Sequence, residues 1–262
     1  MRKNRKSLYE NIMTAVSKEV KKALRETNEY QFNKYKPQTR EQLKQVVYDY
    51  INENGPHCDL NWIDVSNVRD MQDIFYDSDF NGDISRWNVS NVEKMDRMFY
   101  RSAFNGDISN WDVSNVRTMV NMFAYSKFNG DISEWDVSHV EDMTSMFSNT
   151  RFNGDISRWN VRNVRYMSNM FCCSVFNGDI SMWNVRNVTH MNRMFMLSKF
   201  NRDISEWNVS NVENMEQMFY KSEFNQDISS WDTSNVDRFS DVFTESPAED
   251  NYSKQAKFRR WR

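Results

Sequence analysis

Apolar letters return to the same places along this chain every 24 residues. From Phe80 the pattern reads FNGDISRWNVSNVEKMDRMFY, and from Phe104 it reads FNGDISNWDVSNVRTMVNMFA. The apolar set of one unit is Phe80, Ile84, Trp87, Val89, Val92, Met95, Met98 and Phe99, and tryptophan recurs at 87, 111, 135, 159, 183, 207 and 231 without an insertion. The register reaches back to CDLNWIDVSNV, where Asp59, Leu60 and Val65 match Asp83, Ile84 and Val89, while Trp62 stands one place out of column. Eight units, counted on the VSNV-type segments from Val65 to Thr233, occupy residues 56–246.

A strict period of roughly 20–50 residues marks an array in which no unit can bury its own apolar face and each must stack on its neighbours. Within a unit, Val92, Met95, Met98 and Phe99 fall on one face of a short helix. Ser90 and Glu93 have the spacing of its capping box, as do Ser210 and Glu213. The other half, DISRWNV, is rich in β-formers and predicts extended chain. The Gly82 column becomes Arg202 and Gln226 in later copies, which places it outward or in a turn after Phe80. The fold expected is an α/β, leucine-rich-repeat-like solenoid of eight 24-residue coils with an N-terminal helical region.

Ahead of the repeats two further helices are predicted. Leu8, Ile12, Val16, Val20 and Leu24 follow one another four residues apart, an amphipathic stripe within residues 1–37. It requires a partner: the second helix, another copy through residues 7–30, or a membrane surface. The second helix, within 38–55, is capped by Thr39 with Gln42 three residues on, stops at Asn54-Gly55-Pro56, and presents Leu43, Val46, Val47, Tyr50 and Ile51. It is expected to cover the open end of the first coil. Residues 247–262 form a basic tail that carries Tyr252, Phe258 and Trp261.

Charge divides the chain. Residues 1–55 are net +5 and 244–262 net +2, so a total of -3 leaves the repeats at -10. An acidic body disfavours nucleic acid, whose phosphates are bound by clustered Lys and Arg. No run approaches the roughly 20 apolar residues of a membrane span. The N-terminal basic stretch lacks the apolar core of a signal peptide, which predicts a cytoplasmic protein. Three cysteines, Cys58, Cys172 and Cys173, fit no even-numbered disulfide framework and are expected as free thiols.

Candidate chemistry lies in the columns. Asp59, Asp83, Asp107, Asp131, Asp155, Asp179, Asp203 and Asp227 stack in one row that either accepts backbone hydrogen bonds in its own turns or coordinates calcium between coils. Asn81 and its equivalents predict a hydrogen-bonding ladder. Thirteen of the seventeen methionines occupy repeat columns, as core filler or as a thioether row. His57, His139 and His190 do not recur together, and no HExxH, GxSxG or phosphate-loop motif is present. The reading is non-enzymatic, without a cofactor. The residues before each tryptophan, Arg86, Asn110, Glu134, Arg158, Met182 and Glu206, vary freely and are expected at the surface, as candidates for recognition. Cys172, Cys173, Met196 and Leu197 form a second candidate contact patch.

The unit FNxDIS, W(N/D)VSNV, xxMxxMF closely resembles that of the BspA-like leucine-rich-repeat surface proteins over residues 56–246. The resemblance implies a curved repeat scaffold and, from some members, adhesion to host proteins or other cells. It implies no catalytic residues, and it sets a cell-surface or virion location beside the cytoplasmic one. Two functional readings follow. In one, the chain is a protein-binding scaffold, adhesin-like in the sense of the family. In the other, it is a structural or assembly component, for example of a phage particle, oligomerised through its N-terminal helix.

Overall fold

The computed structural model describes residues 35–250. The expected amphipathic helix of residues 7–30 and the tail residues 251–262 lie outside the described residues. A single helix is found among them, α1 (Arg40–Asn54). The Thr39 side chain accepts the Gln42 N–H, and the Gln42 side chain turns back to the Gln38 N–H at 2.7 Å. Gly55, at φ 85°, ends the helix with its N–H on the Ile51 carbonyl, a left-handed stop that glycine adopts without steric cost. Leu43, Val46 and Val47 are buried against the first coil, and Tyr50 packs on Trp62 with ring centroids 5.0 Å apart. The displaced tryptophan thus forms part of the seat for α1, while Ile63 occupies the tryptophan column and is buried.

Eight coils follow, and all eight predicted apolar columns are core. Phe80, Ile84, Trp87, Val89, Val92, Met95, Met98 and Phe99 are buried, and so are their equivalents along the stack except at its ends, where Phe239 is half-buried and Pro56 exposed. The methionines of the two repeat columns fill the interior rather than line a groove. Equivalent phenylalanines lie face to face, as in Phe99 over Phe123 at 5.5 Å, and the second phenylalanine column interleaves with the first, as Phe147 does with Phe152 at 4.2 Å. Aromatic contacts of this geometry add to the burial of area itself.

The coils contain neither the predicted helix nor a continuous strand, so the α/β expectation is corrected for them. Every coil has two non-glycine residues at positive φ, four positions apart, as at Arg97 (53°) and Arg101 (55°). Such residues interrupt any right-handed helix. In place of i→i−4 bonds, Met98 N–H returns to Met95 O and Ser102 N–H to Phe99 O, while Met95, Arg97, Phe99 and Arg101 donate to Thr118, Val120, Met122 and Ala124 of the next coil. Parallel bridging runs along one continuous column, Asp70, Lys94, Thr118, Asp142, Tyr166, His190, Asn214 and Arg238, with separate bridges at the N-terminal end between Tyr35 and Ile63 and between Asp59 and Asp83. Ser90 caps nothing: it lies in a turn closed by Val92 N–H on Val89 O, and its hydroxyl donates to Asn88 Oδ1.

The two halves of a coil are joined to their neighbours by different means. Residues 93–103, the methionine half, are stitched by backbone hydrogen bonds. In the tryptophan half the separation is wider. Phe75 and its equivalents are spaced at 5.4–5.8 Å. Phe80 and its equivalents are spaced at 6.0–6.3 Å, and the tryptophans at 6.3–6.4 Å. Side chains span that gap. Each indole N–H of the tryptophan column, from Trp87 to Trp231, reaches a carbonyl of the preceding coil, as Trp135 Nε1 does Ile108 O at 3.1 Å.

The glycine column is crowded throughout, since a Cβ there would lie 2.7–3.0 Å from the ring of the phenylalanine two residues earlier in every coil from Gly82 to Gly178. A Cβ on Gly82 would lie 2.0 Å from Cys58 O, whereas at Gly106 and Gly178 the nearest preceding backbone oxygen is 3.2 and 3.7 Å away. The column departs from glycine at Cys58 in the first coil and again at Arg202 and Gln226, where Arg202 is exposed as expected and Gln226 is half-buried.

Candidate functional site

The polar columns of the tryptophan half are occupied with holding the coils. Each aspartate of the acidic row accepts the backbone N–H two residues on, as Asp131 Oδ1 does that of Ser133 at 2.9 Å. That hydrogen bond is the main reason the carboxyls of Asp83, Asp107, Asp131, Asp155 and Asp179 titrate below the ordinary aspartate range. The neighbouring carboxylates push weakly the other way on Asp107, Asp131 and Asp179. Among the described residues no three His, Cys, Asp or Glu side chains gather closely enough to hold a metal ion. Asn81, Asn105, Asn129, Asn153, Asn177 and Asn201 form the expected ladder, each Oδ1 accepting the backbone N–H of the next asparagine at 2.7–2.9 Å.

A second amide row was not singled out from the sequence. Asn91 donates to Ser66 O and Asn115 to Ser90 O, and so on to Asn235. His139 takes one place in that row, with Nδ1 2.8 Å from Ser114 O. A carbonyl carries no proton, so Nδ1 is the donor. His190 lies in the bridging column with Nδ1 beside the Thr189 hydroxyl, and His57 faces Asn81 O. The three histidines stand in separate columns and coils and do not converge.

The residues before each tryptophan are exposed as predicted. They sit at the outer corner of the turn that Ile84 O and Trp87 N close at 3.1 Å, and Met182 reaches 86 % exposure. Arg86, Asn110, Glu134, Arg158, Met182 and Glu206 make one row, within which Glu134 and Arg158 are 3.8 Å apart. The second candidate patch is only partly superficial. Leu197 is exposed, Cys173 and Met196 are half-buried, and Cys172 is buried, so Cys172 contributes no outer contact. Cys173 N–H donates to Met196 O at 2.8 Å, which joins the two coils of the patch. The patch and the row lie in different halves of the coil and do not form one site.

Comparison of columns on the folded chain locates a surface that sequence reasoning missed. In the methionine half the outward column at Arg101 reads Asp77, Arg101, Tyr125, Asn149, Cys173, Leu197, Lys221 and Glu245, eight residue types in eight coils. The bridging column at Lys94 holds seven types. Tyr76 stacks on Tyr100 at 5.2 Å, the Arg101 guanidinium lies over the rings of Tyr100 and Tyr125, and Tyr166 meets His190 at 5.5 Å. These positions were hidden because a helix assigned to this segment makes its outer residues ordinary solvated letters. The signal was present in the unequal variety of the columns.

Variation here is not wholly free. Charges alternate between coils and pair at 24-residue spacing, as Arg69 does with Glu93 at 2.8 Å and Arg117 with Glu141 at 3.4 Å. Arg97 with Asp73, Lys221 with Glu245 and Lys199 with Glu223 repeat the device. Beside this charged column and the second amide row runs an open groove of about 580 Å³, which Asn163, Arg165, Asn187 and Glu213 help to line.

Among the described residues no helix is long and apolar enough to cross a membrane. No curated protein and no solved structure matches the chain. One family model does, over residues 41–159, 102–199 and 148–256, overlapping stretches that together take in most of the sequence. With the eight-coil stack and its invariant columns in view, the chain belongs to the family described as Mycoplasma protein of unknown function, DUF285.

Proposed function

We propose that the chain is a non-enzymatic binding scaffold that engages a protein partner through the outer surface of the methionine half of its coils. One observation carries this reading. The surface columns with the most residue types lie in the half where a continuous set of backbone hydrogen bonds joins the coils, so most of those side chains are not required to hold the stack, although some pair across it as Lys221 does with Glu245. In the tryptophan half, Asn and Trp side chains bridge the wider gap and Asp closes each coil's own turn, and all three are held nearly constant. Exposed tyrosine and arginine supply the large, partly apolar contacts that dominate protein interfaces.

The resemblance to BspA-like surface repeats extends the proposal to adhesion. Membership in a family of repeat proteins agrees with a scaffold. Identical coils furnish identical environments, whereas acid–base catalysis needs groups whose environments differ. Photo-crosslinking tests the face. A photoreactive residue replacing Tyr125 or Tyr166 is expected to capture a partner in extracts of the producing cell, and one replacing Asn110 or Met182 is not. Capture from the second pair alone would move the binding surface to the tryptophan half.

A further inference from the structure

One chemically distinctive cluster has no part in the scaffold. Cys172 and Cys173 are free thiols with Sγ atoms 3.6 Å apart. Cys172 is buried and Cys173 half-buried, so the pair is reached from outside through Cys173. On the next coil Met196 occupies the column of Cys172 and is itself half-buried, and the backbone bond from Cys173 N–H to Met196 O fixes the two coils in register there. Elsewhere that column carries Tyr, Ala, Ser or Thr, so its sulfur is confined to these two adjacent coils.

The geometry points to a binding site for a soft monovalent cation of the copper(I) class, held by the Cys172 and Cys173 thiolates with the Met196 thioether as third ligand. Thiolate and thioether ligands together select soft ions. Two or three sulfur ligands satisfy copper(I), whereas a structural zinc site takes four, and no further His, Cys, Asp or Glu gathers here. Cys173 at φ 55° repeats the backbone of its equivalents in the other coils, so the pair is presented without distorting the coil.

Binding must displace two protons. Burial pushes the Cys172 thiol up to about 12, so without an ion it remains protonated and a poor nucleophile. A coordinated thiol is deprotonated by the ion itself. The step is one Cu⁺ and two thiols giving a bis-thiolate complex of charge -1 and two released protons, with no change of oxidation state.

The test is an anaerobic titration of the reduced full-length chain with copper(I), in competition with a chromophoric copper(I) chelator and with zinc as comparator. A single equivalent is expected to be retained, with thiolate-to-copper absorption in the ultraviolet and preference over zinc. Cys173→Ser should weaken retention by about 100-fold and Met196→Leu by about 10-fold, the range for disturbing a metal's ligand environment. Cys58→Ser, in the first coil, should change nothing. Circular dichroism of each variant confirms the fold before titration. Loss of copper to the chelator by the unaltered chain, retention by Cys173→Ser, or equal retention of zinc overturns the assignment.

Discussion

A single tryptophan shows how much each invariant letter does. Trp135 fills the core and also donates its indole N–H to Ile108 O across the coil boundary. Trp135→Phe keeps most of the apolar bulk and orphans a buried carbonyl, at a cost of about 1–3 kcal/mol, and chemical denaturation measures it. The left-handed positions are a second residue-scale test. Ser145 at φ 58° should tolerate glycine, whereas Ser145→Val sets a β-branched side chain where it is strained and should lose about 1–2 kcal/mol. The aspartates are a third. Their folded carboxyls titrate below the unfolded ones, so their contribution is complete above the ordinary range, near about pH 4, and is lost as pH falls through the lower folded values. The melting temperature should therefore fall on acidification from that range, and Asp131→Asn, which keeps the acceptor, should blunt the fall more than it lowers stability at pH 7. EDTA at neutral pH should leave the melting temperature unchanged, because backbone N–H groups already satisfy these carboxylates.

At the scale of the element, the core was legible and the backbone path was not. Period and register placed Phe80, Ile84, Trp87, Val89, Val92, Met95, Met98 and Phe99 inside, and all are buried. Spacing of three, three and one along Val92, Met95, Met98 and Phe99 fits a helical face. It fits equally a run of turns whose apolar side chains point inward, and what separates the two is where each N–H finds an acceptor. In a stack, the neighbouring coil offers carbonyls to Met95, Arg97, Phe99 and Arg101, so a path with two positive-φ residues becomes the better one. No single unit contains that information, because the acceptors belong to the next. The same oversight concealed the proposed binding surface, since a helix would have left Tyr125 and Tyr166 as ordinary exposed letters. By contrast α1 was readable from Thr39 to Gly55, its caps being local to its own sequence. The asparagine ladder offers a test at this scale. Asn129→Ala removes the acceptor for Asn153 N–H and should raise exchange of that amide while backbone-stitched amides such as Phe147 N–H stay protected.

In the whole molecule, cohesion comes from both halves of every coil, through backbone hydrogen bonds in one and side-chain bridges in the other. Coils four and five have no special status, and each depends on the pair around it for burial of its Trp, Met and Phe. Stability then follows nearest-neighbour interfaces, and damage at one coil should spread along the stack. Hydrogen–deuterium exchange on the full chain carrying Met146→Asp measures this directly. The mutation sets a charge in the core of the fourth coil, whose amides at Met143, Ser145, Phe147 and Asn149 donate to the fifth. The account predicts faster exchange in the fourth coil and in both coils flanking it, with the loss declining towards the ends. Faster exchange confined to residues 128–151, with the third and fifth coils at their original protection, would mean that the coils fold as separate beads and would contradict it.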